Sequence, residues 1–221
     1  MGQGMLSQGV FITFEGMEGC GKTTQVKRLA KRLRGLSVPV VMTLEPGGTA
    51  IGRNVRRVLL DSKNHALTPL AELMLYEADR AQHVEEIIVP ALKSGRWVLC
   101  DRFSDATVVY QGAARGQDMK LIRLLNNAVT GGIQPHLTFL LDCPVELGLR
   151  RALGRNMKGQ DRFEKEALSF HHKVRNGYLD LAHRNKKRFV IIDATAGRKE
   201  IEEDILLHLD RFLRQIKKKA V

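Results

Sequence analysis

Aromatic residues make up only 5% of this chain and tryptophan occurs once. That scarcity, with no alternation of basic and aromatic positions, argues against a surface that stacks single-stranded nucleic acid. Cysteine is also rare, with Cys20, Cys100 and Cys143 the three present. An odd, scattered set without C-x-x-C spacing argues against a disulfide framework or a zinc site, and suits a reducing, cytoplasmic location. Cys20 and Cys100 are expected to be small buried fillers. No apolar run reaches the length of a membrane span, so no membrane partner is expected. The opening MGQGMLSQG lacks an apolar signal core, and residues 1–8 read as a flexible leader. Repeats, low-complexity tracts and linkers are missing as well. A chain of 221 residues with 43% hydrophobic content then reads as one domain over 1–221.

Acidic residues fall short of basic ones, 24 against 36, leaving a formal charge of +12. Such a surplus can serve nucleic acid, but it equally suits a site that gathers several phosphates. The KKK run at 217–219 reads as a solvated tail.

The segment FEGMEGCGKTT at 14–24 fits G-x-x-x-x-G-K-[ST], with Gly16, Gly21, Lys22 and Thr23 in the defining places. An apolar run precedes it and a segment with helical spacing, TQVKRLAKRL, follows it. Glycines let backbone N–H groups curl around phosphate oxygens, and the following helix adds its positive N-terminal end. Lys22 is expected to reach the β- and γ-phosphates of a nucleoside triphosphate, with the Thr23 hydroxyl on Mg²⁺. Glu18 sets an anion in a cradle for anions. It is expected to point away from the phosphates, accepting a neighbouring hydroxyl or standing in solvent.

Five short runs read as buried parallel strands: 10–15, 38–43, 96–100, 137–142 and 188–193. Helical segments separate them. Thr68-Pro69 reads as a capped helix start, and its helix is expected to bury Leu70, Leu73, Met74, Ala78, Ala81, Val84 and Ile88. Pro90 is expected to kink or end it, with Gly95 at the turn into the third strand. A last helix over 198–216 is expected to bury Ile201, Ile205, Leu209, Phe212 and Ile216. This alternation implies an α/β fold with one parallel sheet, helices on both faces, and ligands beyond the C-terminal strand ends.

The residues at those ends are distinctive. Asp101 and Arg102 close the third strand, the first suited to a Mg²⁺ shell and the second to forking donors onto a phosphate. Asp142, ending the fourth strand, ranks second for the metal. After the second strand, EPGGTAIGRNVR at 45–56 forms a tight turn. Thr49 is placed there to cap a helix bearing Arg53, Arg56 and Arg57. Tyr76 and Arg80 stand four apart on one helix face, suited to a base and its carbonyl edge. Arg150, Arg151, Arg155, Lys158 and Arg162, broken by Gly154 and Gly159, read as a basic lid over about 150–163.

FEGMEGCGKTT, EPGGT-x-x-G-x-x-x-R, YEADRAQH, DRF…YQG-x-x-RG and the lid with DRFE together resemble bacterial-type thymidylate kinases (dTMP kinases), over about residues 9 to 200. The resemblance implies a P-loop nucleoside monophosphate kinase fold, a five-stranded parallel sheet with a short lid. It implies Mg·ATP on the loop Gly16, Met17, Glu18, Gly19, Cys20, Gly21, Lys22, Thr23 and Thr24, with Arg151 against adenine. Thr23 and Asp101 would hold the metal. For dTMP, the resemblance implies Glu18 toward the deoxyribose 3′-hydroxyl and Arg56 and Arg102 on the phosphate. It further implies Tyr76, Arg80, Thr107 and Gln111 by the base and Tyr110 where a ribose 2′-hydroxyl would go. Gly19, with arginines in the lid, resembles the class whose assisting arginine is there, and Arg155 is the expected one, beside Lys22 and Arg102 as catalytic residues. A homodimer, and no nucleic-acid partner, are implied likewise. Leu44, Arg53, Tyr76 and Ala106 depart from the usual pattern. A broader kinase acting on dUMP, a non-catalytic nucleotide switch and a nucleic-acid binder are the rivals.

Overall fold

The computed structural model describes residues 9–154 and 162–219. Five strands, β1 (Phe11–Glu15), β2 (Val40–Leu44), β3 (Trp97–Asp101), β4 (Leu137–Asp142) and β5 (Phe189–Asp193), form one parallel sheet in the order β2-β3-β1-β4-β5. All five coincide with the expected runs to within two residues. The chain lays β2 and β3 on one side of β1 and then crosses to β4 on the other, which makes the C-terminal end of β1 the switch point. Phe14 lies level with Asp101, and Asp101 with Leu44, so three strands deliver Gly16, Arg102 and Glu45 to one edge.

Side chains alternate across the sheet, as strand geometry requires. Ile12, Phe14, Leu99 and Phe139 pack with Leu29 and Leu33 of α1 (Lys22–Gly35) and Ile201, Ile205 and Leu209 of α9 (Arg198–Lys219). Phe11, Val98 and Cys100 face the other way, onto Val84, Ile88 and Ala91. Leu140 and Phe189 meet Phe170, Val174 and Tyr178 of α8 (Leu168–Arg184) there too. Each of the central apolar side chains contributes roughly 1.5–3 kcal/mol by burial. All three cysteines are free and buried, as filler side chains.

The edge strands correct one expectation. β2 and β5 are half-exposed rather than buried, with Met42 and Ile191 open to solvent, because each has a neighbour on one side only. The helix stripe is corrected too. α2 (Ala50–Leu60), capped by Thr49 through Gly52 N–H at 2.9 Å, packs on α3 (Pro69–His83). α3 buries Leu73, but Leu70, Met74 and Ala78 are exposed, since its helical neighbours cover one side of it and leave the other bare.

Pro90 does not end this helix. A π-helical turn at Val84–Ile88 leads directly into α4 (Val89–Lys93). Proline lacks an N–H and clashes with the carbonyl four residues back, and the wider register relieves both problems. A second π-helical segment, Val108–Ala114, follows the short α5 (Ser104–Thr107) and precedes α6 (Met119–Thr130). α7 (Val145–Leu153) completes the set. Among the described residues no helix is long and apolar enough to cross a membrane. The leader 1–8 and the middle of the expected lid, 155–161, lie outside the described residues.

Candidate active site

The phosphate loop turns between β1 and α1 on three glycines with positive φ, Gly16 (134°), Gly19 (75°) and Gly21 (95°). Only glycine adopts these without strain. At Gly19 the packing is equally strict, because a Cβ there would lie 1.8 Å from the Gly148 carbonyl oxygen. Gly148 in turn has no room for one, with Glu18 O at 2.7 Å from the ideal position. The loop and α7 therefore touch backbone to backbone.

Lys22 folds over its own loop, donating to Gly16 O at 3.0 Å and Met17 O at 2.7 Å. Thr23 is exposed and its hydroxyl donates to Asp101 Oδ2, so a hydroxyl and a carboxylate meet at the mouth of the loop. That oxygen pair is what Mg²⁺ takes from protein, one or two carboxylates or hydroxyls beside phosphate oxygens. Asp142, the weaker metal candidate, is held instead by both ends of the Arg175 fork at 2.7 Å.

A cleft opens from the loop toward α2 and α3. Glu18, Gly19, Gly21, Lys22, Thr23 and Asp101 line its loop side, and Arg56, Tyr76, Arg80, Arg102, Thr107, Tyr110 and Gln111 line the remainder. The structure thus brings together every residue expected to touch the acceptor. The Thr107 Oγ1 atom is buried there without a hydrogen-bond partner. Gly16, Met17, Cys20, Thr24 and Arg151 are not among the cleft-lining residues. Met17 and Cys20 are packed in the core, and Arg151 turns to the loop after β5, donating to Ala194 O at 2.7 Å. Arg155 lies outside the described residues.

Glu18 is the electrostatic pivot. Its Oε1 accepts from Tyr110 Oη at 2.6 Å and from Arg102 Nη2 at 3.0 Å. Burial opposes its charge, but His171, Arg102, Lys22 and the Tyr110 hydroxyl outweigh burial and hold its carboxyl well below the usual range. Arg102 has φ 69°, a left-handed backbone that costs a non-glycine residue about 1–2 kcal/mol. Its guanidinium is fixed by Gly16 O at 2.7 Å, Tyr178 Oη at 3.1 Å and the Tyr110 ring at 5.0 Å. Strain and anchoring together aim one cation at the space above the loop.

On the far wall Arg80 is fully buried, between Glu45 Oε2 (2.9 Å) and Glu77 Oε1 (2.8 Å). Gln111 donates to Glu72 Oε1 at 2.8 Å. Arg56 donates to Pro46 O at 2.8 Å and stays half-exposed, whereas Arg53 and Arg57 face solvent. Burial and the charge of Glu72 push the Tyr76 phenol up, so it remains protonated.

Residues 14–205 match the family model for thymidylate kinase. A thymidylate kinase of Citrifermentans bemidjiense is 57% identical over 191 residues, 85% of each chain. One of Syntrophus aciditrophicus is 51% identical over 211 residues, covering 93% of this chain and 95% of that one. The crystal structure of thymidylate kinase from Ehrlichia chaffeensis superposes with a TM-score of 0.73 at 34% identity, covering 92% and 99%. The chain belongs to the thymidylate kinase family.

Within this thymidylate kinase frame, several site residues carry no motif of their own. Glu72 takes Gln111, Arg115 and Arg162 on one buried carboxylate. Arg162 is therefore docked at the cleft rim, 2.5 Å from Glu72, and is not a free lid arginine. Phe163 beside it is buried and lines the cleft, packed edge-on to Tyr110 at 5.6 Å. Glu15, raised by burial and by Asp105, accepts from Tyr178 at 2.7 Å. Phe170, Val174 and Tyr178 keep a helical apolar period that reads only as core. The one available signal was a histidine inside that stripe.

Proposed function

We propose that this enzyme transfers the γ-phosphoryl group of Mg·ATP to dTMP, giving dTDP and ADP for dTTP synthesis. The observation that carries the reading is the two-sided cleft: a phosphate loop with Lys22 and Thr23 on one wall, and Arg56, Arg102, Tyr110 and Gln111 on the other. A nucleotide switch has no use for the second wall.

The acceptor phosphate has a second pKa near 6, so its attacking oxygen is ionised at neutral pH and needs no strong base. The barrier is the approach of two polyanions in line, which positioning and positive charge must lower. Arg102 and Arg56 hold the acceptor phosphate, and Lys22 leaves its loop carbonyls for the transferring group. Arg155 joins them as the assisting arginine and Arg151 lies toward adenine. Thr23 and Asp101 are the residues that would hold Mg²⁺, which supplies neutralisation of phosphate charge. Glu18 takes the 3′-hydroxyl, Tyr110 fills the space of a 2′-hydroxyl, and Arg80, Gln111, Thr107 and Tyr76 surround the base.

The chain acts as a cytoplasmic homodimer in this reading. Its three free buried thiols suit a reducing compartment. The bare stripe of Leu70 and Met74 on α3, beside Ile51 and Val58 on α2, offers an apolar face for a second copy.

ADP formation from Mg·ATP, measured with dTMP and dUMP side by side, tests the function. Turnover with dTMP well above dUMP is expected. Equal turnover would shift specificity to Leu44, Tyr76 and Ala106, and no acceptor-dependent turnover would sink the kinase reading. Sedimentation of the purified chain tests the dimer.

A further inference from the structure

His171 sits on α8 with its side chain 0% exposed, and neither ring nitrogen has a hydrogen-bond partner. Its Nδ1 stands 3.7 Å from Glu18 Oε2, too far for a hydrogen bond and too near for indifference. Glu18 Oε2 is itself buried and unpartnered, while Oε1 is saturated by Tyr110 and Arg102. Two buried polar groups, one a carboxylate and one able to donate, thus face each other with their capacity unspent. Unpaired buried groups are costly, and a shift of well under an ångström would satisfy both.

The rest of α8 supports the same role. Tyr178 lies seven residues on, two turns along the same face. It donates to Glu15 Oε2 at 2.7 Å and accepts from Arg102 at 3.1 Å. One helix therefore lies against both carboxylates, Glu15 at the end of β1 and Glu18 in the loop beyond it. The Phe170 ring closes on the imidazole at 5.7 Å, edge to face, and limits its rotation.

We propose that His171 is a positioning residue for the phosphoryl acceptor: by donating from Nδ1 to Glu18 Oε2 it fixes the carboxylate that meets the sugar. The inference rests on the assignment of Glu18 to the deoxyribose hydroxyl. Tyr110 and Arg102 hold one oxygen from the cleft side, and His171 holds the other from behind, so the carboxylate plane cannot swing. The role is distinct from catalysis, because His171 is buried behind Glu18 and is not among the cleft-lining residues.

The test is a double-mutant cycle of His171→Leu and Glu18→Gln, with His171→Asn as the conservative variant that keeps a donor near Nδ1. His171→Leu is expected to raise KM for dTMP about tenfold, the loss of one hydrogen bond to a charged group, with KM for ATP nearly unchanged. His171→Asn should restore most of it. In the Glu18→Gln background His171→Leu should add little. Losses that multiply in the double variant, or a parallel rise in both KM values, would overturn the proposal. Should His171→Leu fail to fold, ¹⁵N imidazole spectra of the wild type and Glu18→Gln, each with dTMP, give the answer. A Nδ1 resonance that moves between them supports the pairing and an unmoved one refutes it. A Glu18→Gln variant with wild-type kinetics would instead refute the assignment of Glu18 itself, and with it the role of His171.

Discussion

The Tyr110 hydroxyl donates to Glu18 Oε1 at 2.6 Å, from a π-helical segment on the far side of the sheet edge to the phosphate loop. The wide register of that segment lets Tyr110 and its neighbour Gln111 both be buried in the cleft wall. Tyr110→Phe keeps the ring, and with it the bulk where a ribose 2′-hydroxyl would sit, but removes the donor. The expected result is a fall in kcat/KM for dTMP of about tenfold, one hydrogen bond to a charged group. The preference for dTMP over its ribonucleotide counterpart should not change. Steady-state kinetics with both acceptors checks this, and a lost preference would mean that the hydroxyl, not the ring, reads the sugar.

Gly19 and Gly148 make a second prediction. Gly19→Arg would supply a loop arginine in place of a lid one, yet its Cβ would lie 1.8 Å from Gly148 O on a backbone with φ 75°. Overpacking costs about 1–3 kcal/mol, with a similar amount for the left-handed backbone. The variant should melt well below the wild type and bind ATP poorly. Thermal denaturation and ATP titration measure both. A stable, active Gly19→Arg protein would show that α7 moves freely against the loop.

Much of this arrangement is legible from local pattern, because parallel strands and phosphate loops are written in short stretches. Thr49 and Thr68 cap helices as their spacing implies, at 2.9 Å and 3.4 Å. What escapes local reading is set by distant partners. Leu70 and Met74 follow the same period as Leu73, and only the packing of α3 decides which of them is covered. Arg162 reads as a solvated lid cation until Glu72, ninety residues earlier in the chain, is brought to 2.5 Å. His171 looks like one more core position until the fold sets Glu18 before it.

Asp79 should give the protein a pH-dependent stability. Its Oδ1 accepts Gly47 N–H at 2.9 Å, its Oδ2 is buried unpaired, and burial with repulsion from Glu45 lifts its pKa to about 6. The folded protein then holds a proton that the unfolded chain releases near 3.8. Stability from that proton is complete below the unfolded value and is lost as pH rises through about 6. Asp79→Asn keeps the acceptor for Gly47 and has no proton to lose. Its Tm relative to wild type should rise between pH 4 and 6 and level off above, by an amount on the order of a few degrees. A flat difference would show that Asp79 is ionised throughout.

Glu72 tests how the cleft wall is held. Its side chain is 1% exposed and takes charge from Arg115 at 3.4 Å and Arg162 at 2.5 Å. Glu72→Leu would strand Arg162, leave Arg115 to Glu166 at 2.6 Å and free Gln111, at a cost of roughly 3–5 kcal/mol for breaking a buried pair. Denaturant unfolding should show that loss. Glu72→Gln, which still accepts a hydrogen bond, should lose less and raise KM for dTMP before it affects ATP. Equal stability of the two variants would mean that volume, not charge, matters at this position.

Thr23 and Asp101 predict where the metal requirement resides. The Thr23 hydroxyl donates to Asp101 Oδ2, so two oxygens meet at the loop mouth. Thr23→Val removes an oxygen without changing volume, and Asp101→Asn removes the charge. Both should raise the Mg²⁺ concentration for half-maximal rate by about tenfold or more, the scale seen when groups organising a metal are removed. Asp142→Asn makes the contrast, since that carboxylate is occupied by Arg175 at 2.7 Å and is not among the cleft-lining residues. It should lower Tm modestly, on the order of 1 kcal/mol for a half-buried, two-pronged ion pair, and leave the Mg²⁺ dependence where it was. A Mg²⁺ titration of the three variants decides between the strand ends: a shift confined to Asp142→Asn would move the metal from β3 to β4.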